Sequence, residues 1–119
     1  MKILIIDDNL HDREAIAFFL KSNGYEDILV ASSGKEGIEK AIDGRPDVVI
    51  LDVVLPDVKG YGICKAIKEC PELNCKIILI TGEYHQNDPV SASHAAPDYF
   101  LAKTNFYNSL LRILKSIKK

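Results

Sequence analysis

Three short runs of unbroken aliphatic residues, Ile3–Ile6, Val48–Leu51 and Ile77–Ile80, constrain what this chain can fold into more than any other feature. A strand with one wet face alternates apolar and polar residues, whereas a solid run needs cover on both faces, as in a parallel strand between two helical layers. Two less uniform runs, Ile28–Ala31 and Tyr99–Ala102, complete a set of five. Segments of helical period lie between and after them. Asp12–Asn23 lines up Ile16, Phe19 and Leu20, and Gly24 follows as a C-terminal stop. Lys35–Asp43 carries Ile38, Ala41 and Ile42, and Gly44 and Pro46 end it. Tyr61–Glu69 carries Ile63, Cys64 and Ile67; Phe106–Lys118 carries Leu110, Leu111, Leu114 and Ile117. The segment Glu83–Ala96, with Pro89, two histidines and little apolar periodicity, predicts a short or mobile fourth helix. Strand and helix in series imply one open, doubly wound α/β sheet with right-handed crossovers, a single domain over residues 1–119.

Composition agrees with this and excludes several function classes. A chain of 119 residues, 47% hydrophobic and 27% charged, can bury a core without staples. A net charge of −2 offers no general attraction to nucleic acid, and the basic ending Lys115, Lys118, Lys119 reads as complement to a helix dipole. Cys64, Cys70 and Cys75 are odd in number and irregular in spacing, so free thiols in a reducing cytosol are expected. Met1 and Lys2 lead into an apolar run that stops at Asp7, which is not a signal peptide. The longest apolar stretch, Val48–Leu55, is split by Asp52 and too short to span a bilayer. A cytoplasmic protein without membrane contact is the expectation.

In an open parallel sheet, ligands bind beyond the carboxyl ends of the strands, near the point where strand order reverses. The first run ends in Asp7 and Asp8, the third in Asp52, the fourth in Thr81, and the fifth just before Lys103. Three carboxylates, a hydroxyl and an ammonium would thus converge on one edge. Each pair of like charges at about 4 Å costs on the order of 4 kcal/mol at an effective dielectric near 20. A hard divalent cation relieves that repulsion, and magnesium takes one or two carboxylates together with waters and phosphate oxygens. Such a site is prepared for phosphoryl transfer, with one carboxylate, Asp52, as acceptor. Taken singly, every member has an ordinary explanation. Asp7, Asp8 and Asn9 can cap a helix, Asp52 and Thr81-Gly82 can be turn residues, and Lys103 can be a surface lysine.

The ordered set resembles the receiver domain of bacterial response regulators, the family of two-component and chemotaxis signalling proteins, over the whole chain. The resemblance rests on Asp7-Asp8, on the stretch from Leu51 through Asp52, Leu55, Pro56 and Asp57 to Gly60, on Ile80-Thr81-Gly82, and on Asp98-Tyr99-Phe100-Leu101-Ala102-Lys103. It implies a flavodoxin-like fold of strand order 2-1-3-4-5 with helices on both faces. It implies that Asp52 accepts a phosphoryl group from a histidine kinase, a phosphotransfer protein or a small acyl phosphate, with Mg2+ as cofactor. Asp8, Asp52 and the Val54 carbonyl would then hold the metal directly and Asp7 mainly through water. Lys103, the Thr81 hydroxyl and the Gly82 amide would meet phosphoryl oxygens. Thr81 and Phe100 would form a switch that remodels the face built by the fourth helix, the fifth strand and the last helix, a surface that could pair two copies. The chain would catalyse only its own modification and its reversal, so it is not an enzyme with a separate substrate.

Thr104 stands where that family usually has proline in a cis peptide, which puts the placement of Lys103 in question; a non-proline cis bond costs roughly 2.5–4 kcal/mol. Three rival readings compete. A flavin or nucleotide site would need a glycine-rich loop after the first strand, where this chain has Asp-Asp-Asn-Leu-His-Asp. A phosphohydrolase would need an inserted cap. A pseudo-receiver would keep the fold and bind partners without phosphorylation. No effector segment follows Lys119, so the sequence reads either as a stand-alone receiver or as a piece of a larger regulator. The cognate kinase and the output partner are not written in it.

Overall fold

Side-chain alternation along buried strands sorts the aliphatic runs into two cores. The computed structural model describes residues 1–57, 59–81, 97–103 and 106–117. Five strands, β1 (Lys2–Ile6), β2 (Asp27–Ala31), β3 (Val48–Asp52), β4 (Lys76–Thr81) and β5 (Tyr99–Ala102), form one sheet in the order β2-β1-β3-β4-β5, every pair parallel. The described helices are α1 (Leu10–Ser22), α2 (Gly34–Gly44), α3 (Gly60–Lys68) and α4 (Tyr107–Ile117). The expected helix within 83–96 lies outside the described residues.

Ile3, Ile5, Val48, Ile50, Ile78 and Ile80 point to one face and pack with Ile16 and Leu20 of α1 and Leu110 and Leu114 of α4. Leu4, Ile6, Val49, Leu51, Ile77 and Leu79 point to the other and pack with Ala41 of α2 and Ile63, Cys64 and Ile67 of α3. The solid runs are therefore two interleaved faces, each covered, as period two requires. This confirms the doubly wound reading and its strand order. Cys64 and Cys75 belong to the second core, and burial pushes the Cys64 thiol up to about 12, leaving it an inert small apolar group.

Local chemistry sets the helix ends. Asn9 caps α1, its side chain accepting the Asp12 N–H at 3.0 Å, so the helix starts at Leu10, two residues before the sequence estimate. Gly24 takes φ 92° after the helix, as the stop requires. Ser33 caps α2, and Glu36 reaches back to the Ser32 N–H at 2.7 Å. The left-handed residue that closes α2 is Arg45, φ 47°, rather than Gly44; Gly44 is the last helical residue, where a Cβ would lie 2.8 Å from Leu29. One expected core residue of this helix is misplaced. Ile42 is 51% exposed, because Gly37 and Ala41 form the seam against the sheet and Ile42 lies about 100° round from Ala41.

Between β3 and α3 the chain makes a tight reversal. Gly60 donates its N–H to the Val53 carbonyl at 2.6 Å, and Val54 bridges Lys59 in antiparallel fashion. A Cβ on Gly60 would lie 2.2 Å from the Asp52 carbonyl and 2.8 Å from the Val53 Cα, both backbone atoms held by the sheet. Gly60→Ala is expected to lower unfolding free energy by about 2 kcal/mol. Gly62→Ala, whose Cβ meets no described atom, should be neutral or stabilising by up to about 1 kcal/mol. Urea titrations of the two variants beside the parent check both.

Candidate functional site

The parity that builds the cores also aims the site. Asp7 continues the alternation of Ile3 and Ile5, and Asp52 that of Val48 and Ile50, so both carboxylates emerge on the α1 side of the sheet. Lys103 follows Tyr99 and Leu101, which pack on that same face. β1 and β3 are neighbours, and β2 and β3 lie on either side of β1, which places this cluster where the strand order reverses. The Arg13 guanidinium in α1 donates to the Asp7 carbonyl at 2.8 Å and ties the end of β1 to the helix.

Asp7 is fully buried, Asp52 is 6% exposed, and Asp8 is exposed; one carboxylate oxygen from each lies within 4.8 Å of the others. The Lys103 ammonium sits among acids. Its Nζ donates to Asp12 Oδ2 at 2.6 Å and Asp52 Oδ2 at 3.1 Å, and lies 2.9 Å from Asp7 Oδ2. Lys103 therefore reaches the site, whatever follows it; Thr104 lies outside the described residues. Asp52 Oδ1 accepts the Val54 N–H at 3.0 Å, while Asp7 Oδ1 accepts the Asn9 N–H at 2.9 Å. Asp7 Oδ2 is buried and receives no aligned hydrogen bond, only the nearby ammonium. A buried carboxylate oxygen left in that condition beside two further carboxylates is a donor set suited to a hard divalent cation.

Thr81 is buried at the end of β4, and its carbonyl accepts the Lys103 N–H at 2.7 Å. It continues the alternation of Ile77 and Leu79, and Phe100 pairs with Leu79 in register, so Thr81 and Phe100 share the α3 side of the sheet. Phe100 packs against that core, its ring centroid 6.4 Å from that of Tyr61. Gly82 lies outside the described residues.

Two residues without a role in the sequence reading stand out, Asp12 at the ammonium and Asp57 in the loop after β3. Asp12, in the first turn of α1, makes the shortest contact to Lys103; only the crossing of α1 over the sheet edge reveals it. Asp57 accepts the Gly34 and Lys35 N–H groups at 2.9 and 3.0 Å, holding the β3–α3 loop against the N-terminus of α2. Its position one residue after Pro56, in a loop followed by Gly60, was the available signal.

Burial pushes the Asp52 carboxyl up to about 6 from 3.8; the Val54 N–H opposes this, Asp7 adds to it, and Lys103 only partly offsets it. Burial alone would lower Lys103, but the Asp12 and Asp7 carboxylates outweigh it and hold the ammonium above its ordinary range. A carboxyl with a native pKa above its unfolded value binds protons more tightly when folded. Its stabilising effect is full below about 3.8 and is lost as pH rises through about 6. Without divalent cations, Asp52→Asn should therefore gain about 2 kcal/mol on the parent between pH 4 and 7. Urea unfolding over that pH range checks this, and added Mg2+ should shrink the difference.

The comparisons with known proteins meet this geometry. The family profile described as "Response regulator receiver domain" matches residues 3–115. The alkaline phosphatase synthesis transcriptional regulatory protein PhoP of Bacillus subtilis is 31% identical over 102 residues, covering 86% of this chain and 42% of that protein. The chain spans about half the length, or less, of the curated relatives it matches. The crystal structure of the response regulator TrrA from Thermotoga maritima, in complex with Mg(2+)-BeF, superposes with a TM-score of 0.87 at 32% identity. It covers 99% of this chain and 100% of that one. The chemotaxis response regulator CheY4 of Vibrio cholerae gives 0.86 at 27% identity, covering 98% of each chain. With its β2-β1-β3-β4-β5 sheet and its acidic edge facing a partly buried lysine, the chain belongs to the response regulator receiver domain family of two-component signalling.

Proposed function

We propose that this chain is the phosphoacceptor of a two-component phosphorelay, taking a phosphoryl group on Asp52 in a magnesium-dependent reaction. The observation that carries this reading is the cluster of Asp7, Asp8 and Asp52 with the Lys103 ammonium paired to two of its members, Asp7 and Asp52. Asp8, Asp52 and the Val54 carbonyl would hold the metal directly, with Asp7 acting mainly through water. Magnesium bound there would supply charge neutralisation for the phosphoryl oxygens. Everything else is done by the chain. Near neutral pH the Asp52 carboxyl, with its pKa of about 6, is largely ionised and nucleophilic. One of its oxygens forms a bond to phosphorus as the donor's P–N or P–O bond breaks, the electron pair leaving with the imidazole or the carboxylate. Lys103 receives one phosphoryl oxygen, and the Thr81 hydroxyl and Gly82 amide receive another. Water attacking phosphorus reverses the modification, so the only reaction promoted is the chain's own.

The modified aspartate carries roughly 1.5 to 2 negative charges in place of the single charge of the carboxylate, together with three acceptor oxygens, beside Lys103 and Thr81. Thr81 and Phe100 lie on the same sheet face, which supports their coupling: movement of Thr81 toward the phosphoryl group makes room for the Phe100 ring. The consequence is a population shift of the surface around β5 and α4, read by a downstream protein, a fused output domain or a second copy. A histidine kinase or phosphotransfer protein is the donor. No helix among the described residues is long and apolar enough to cross a membrane, and a cytoplasmic location fits this role.

Intact mass after incubation with acetyl phosphate tests the reading. A single phosphoryl adduct is expected for the parent with Mg2+, none with chelator, and none for Asp52→Asn under either condition. A fast-quenched sample without adduct, from folded protein that binds Mg2+, would instead make the chain a pure interaction module.

A further inference from the structure

We propose that Asp12 is a positioning residue for Lys103, the anchor that keeps the ammonium at the site while the other carboxylates are engaged elsewhere. The inference rests on the reading of Asp52 as phosphoacceptor. Lys103 is 17% exposed and faces three carboxylates, from Asp7, Asp12 and Asp52. Two of the three, Asp7 and Asp52, belong to the cluster suited to a divalent cation; Asp12 does not. Yet Asp12 makes the shortest contact, 2.6 Å against 2.9 and 3.1 Å. A carboxylate that shares its charge with a divalent cation, or that carries a phosphoryl group, is a weaker partner for an ammonium. In either state Asp12 is the one described carboxylate still committed to Lys103.

The anchor is well built for this. Asp12 is held by its backbone as well as by its side chain: its N–H is the one that Asn9 Oδ1 accepts at 3.0 Å, which fixes the first turn of α1. Arg13, the next residue, fastens the same turn to the Asp7 carbonyl. Lys103 in turn donates its backbone N–H to the Thr81 carbonyl at 2.7 Å. A lysine side chain has four rotatable carbon–carbon bonds, and its ordering entropy is among the largest of any residue. A fixed acceptor on a neighbouring helix meets that cost before a phosphoryl oxygen arrives. Asp12 is 43% exposed, which weakens its own share of the pair, but the ammonium is largely removed from water and the contact is charge-assisted at both ends.

The test is a double-mutant cycle with Asp12→Asn and Lys103→Met, read by two independent measurements. The first is the rate of phosphoryl adduct formation from acetyl phosphate at saturating Mg2+. Asp12→Asn should slow it about tenfold, the loss of one charge-assisted hydrogen bond, but leave it within about twofold in the Lys103→Met background. The second needs no phosphodonor: the lysine ammonium 1H–15N spectrum with Mg2+. One slowly exchanging signal, absent from Lys103→Met, is expected in the parent and should be lost in Asp12→Asn. An unchanged rate with the signal retained would overturn the proposal, as would equal slowing in both backgrounds, which would mark a general charge effect. A parent that takes no phosphoryl group would sink the reading of Asp52 instead, and the ammonium signal would then decide on Asp12 alone.

Discussion

Both faces of the central sheet are covered, so a polar side chain within β1, β3 or β4 would lose its water with no route to recover it. That exclusion concentrates the chemistry. Ile3 to Ile6, Val48 to Leu51 and Ile77 to Ile80 are all fully buried, and the first residues that can carry function are those at which the strands stop. Asp7, Asp52 and Thr81 stand there, still buried but at the rim. The site is thus a product of the packing, and its strength derives from it. In water the same carboxylates and lysine would be weakly coupled; at a rim walled by aliphatic side chains their interactions are several times stronger.

The same rim explains why the site holds tension. Bringing Asp52 under cover raises the free energy of its ionised form, and the single ammonium of Lys103 is divided among three acids. The pKa of about 6 at Asp52 expresses that imbalance. A site satisfied by its own residues would have no use for a cation. Here positive charge is in deficit, the condition that a hard divalent cation relieves. The surrounding devices keep the imbalance from relaxing: Gly60 lets the loop after β3 close against the strand, and Asp57 ties that loop to α2.

How much of this was legible beforehand follows from what each signal depends on. Strands β1, β3 and β4 could be read because burial on both faces forbids polar residues within them, and their ends could be read because the first polar residue is the boundary. Helix positions were legible where the apolar stripe was wide, as at Ile63, Cys64 and Ile67, all buried as expected. They were not where the stripe was narrow. Ile42 looked like core by spacing, yet the close approach of α2 runs through Gly37 and Ala41, and small residues carry no apolar signal. The start of α1 was misjudged by two residues because Leu10 is exposed and adds nothing to the helical period; the Asn9 cap decided it.

The sequence by itself determined the layered α/β class, the strand order through its resemblance, and the residues that end each strand. Those are consequences of local composition: where apolar runs begin, and where a carboxylate, hydroxyl or ammonium interrupts them. The tertiary structure alone decided which of these groups touch. The 2.6 Å contact from Asp12 to Lys103 joins residues 91 positions apart, and the Asp57 bonds to α2 span 22 and 23. No periodicity encodes such pairs, because they depend on how helices lie across the sheet rather than on how either segment is composed.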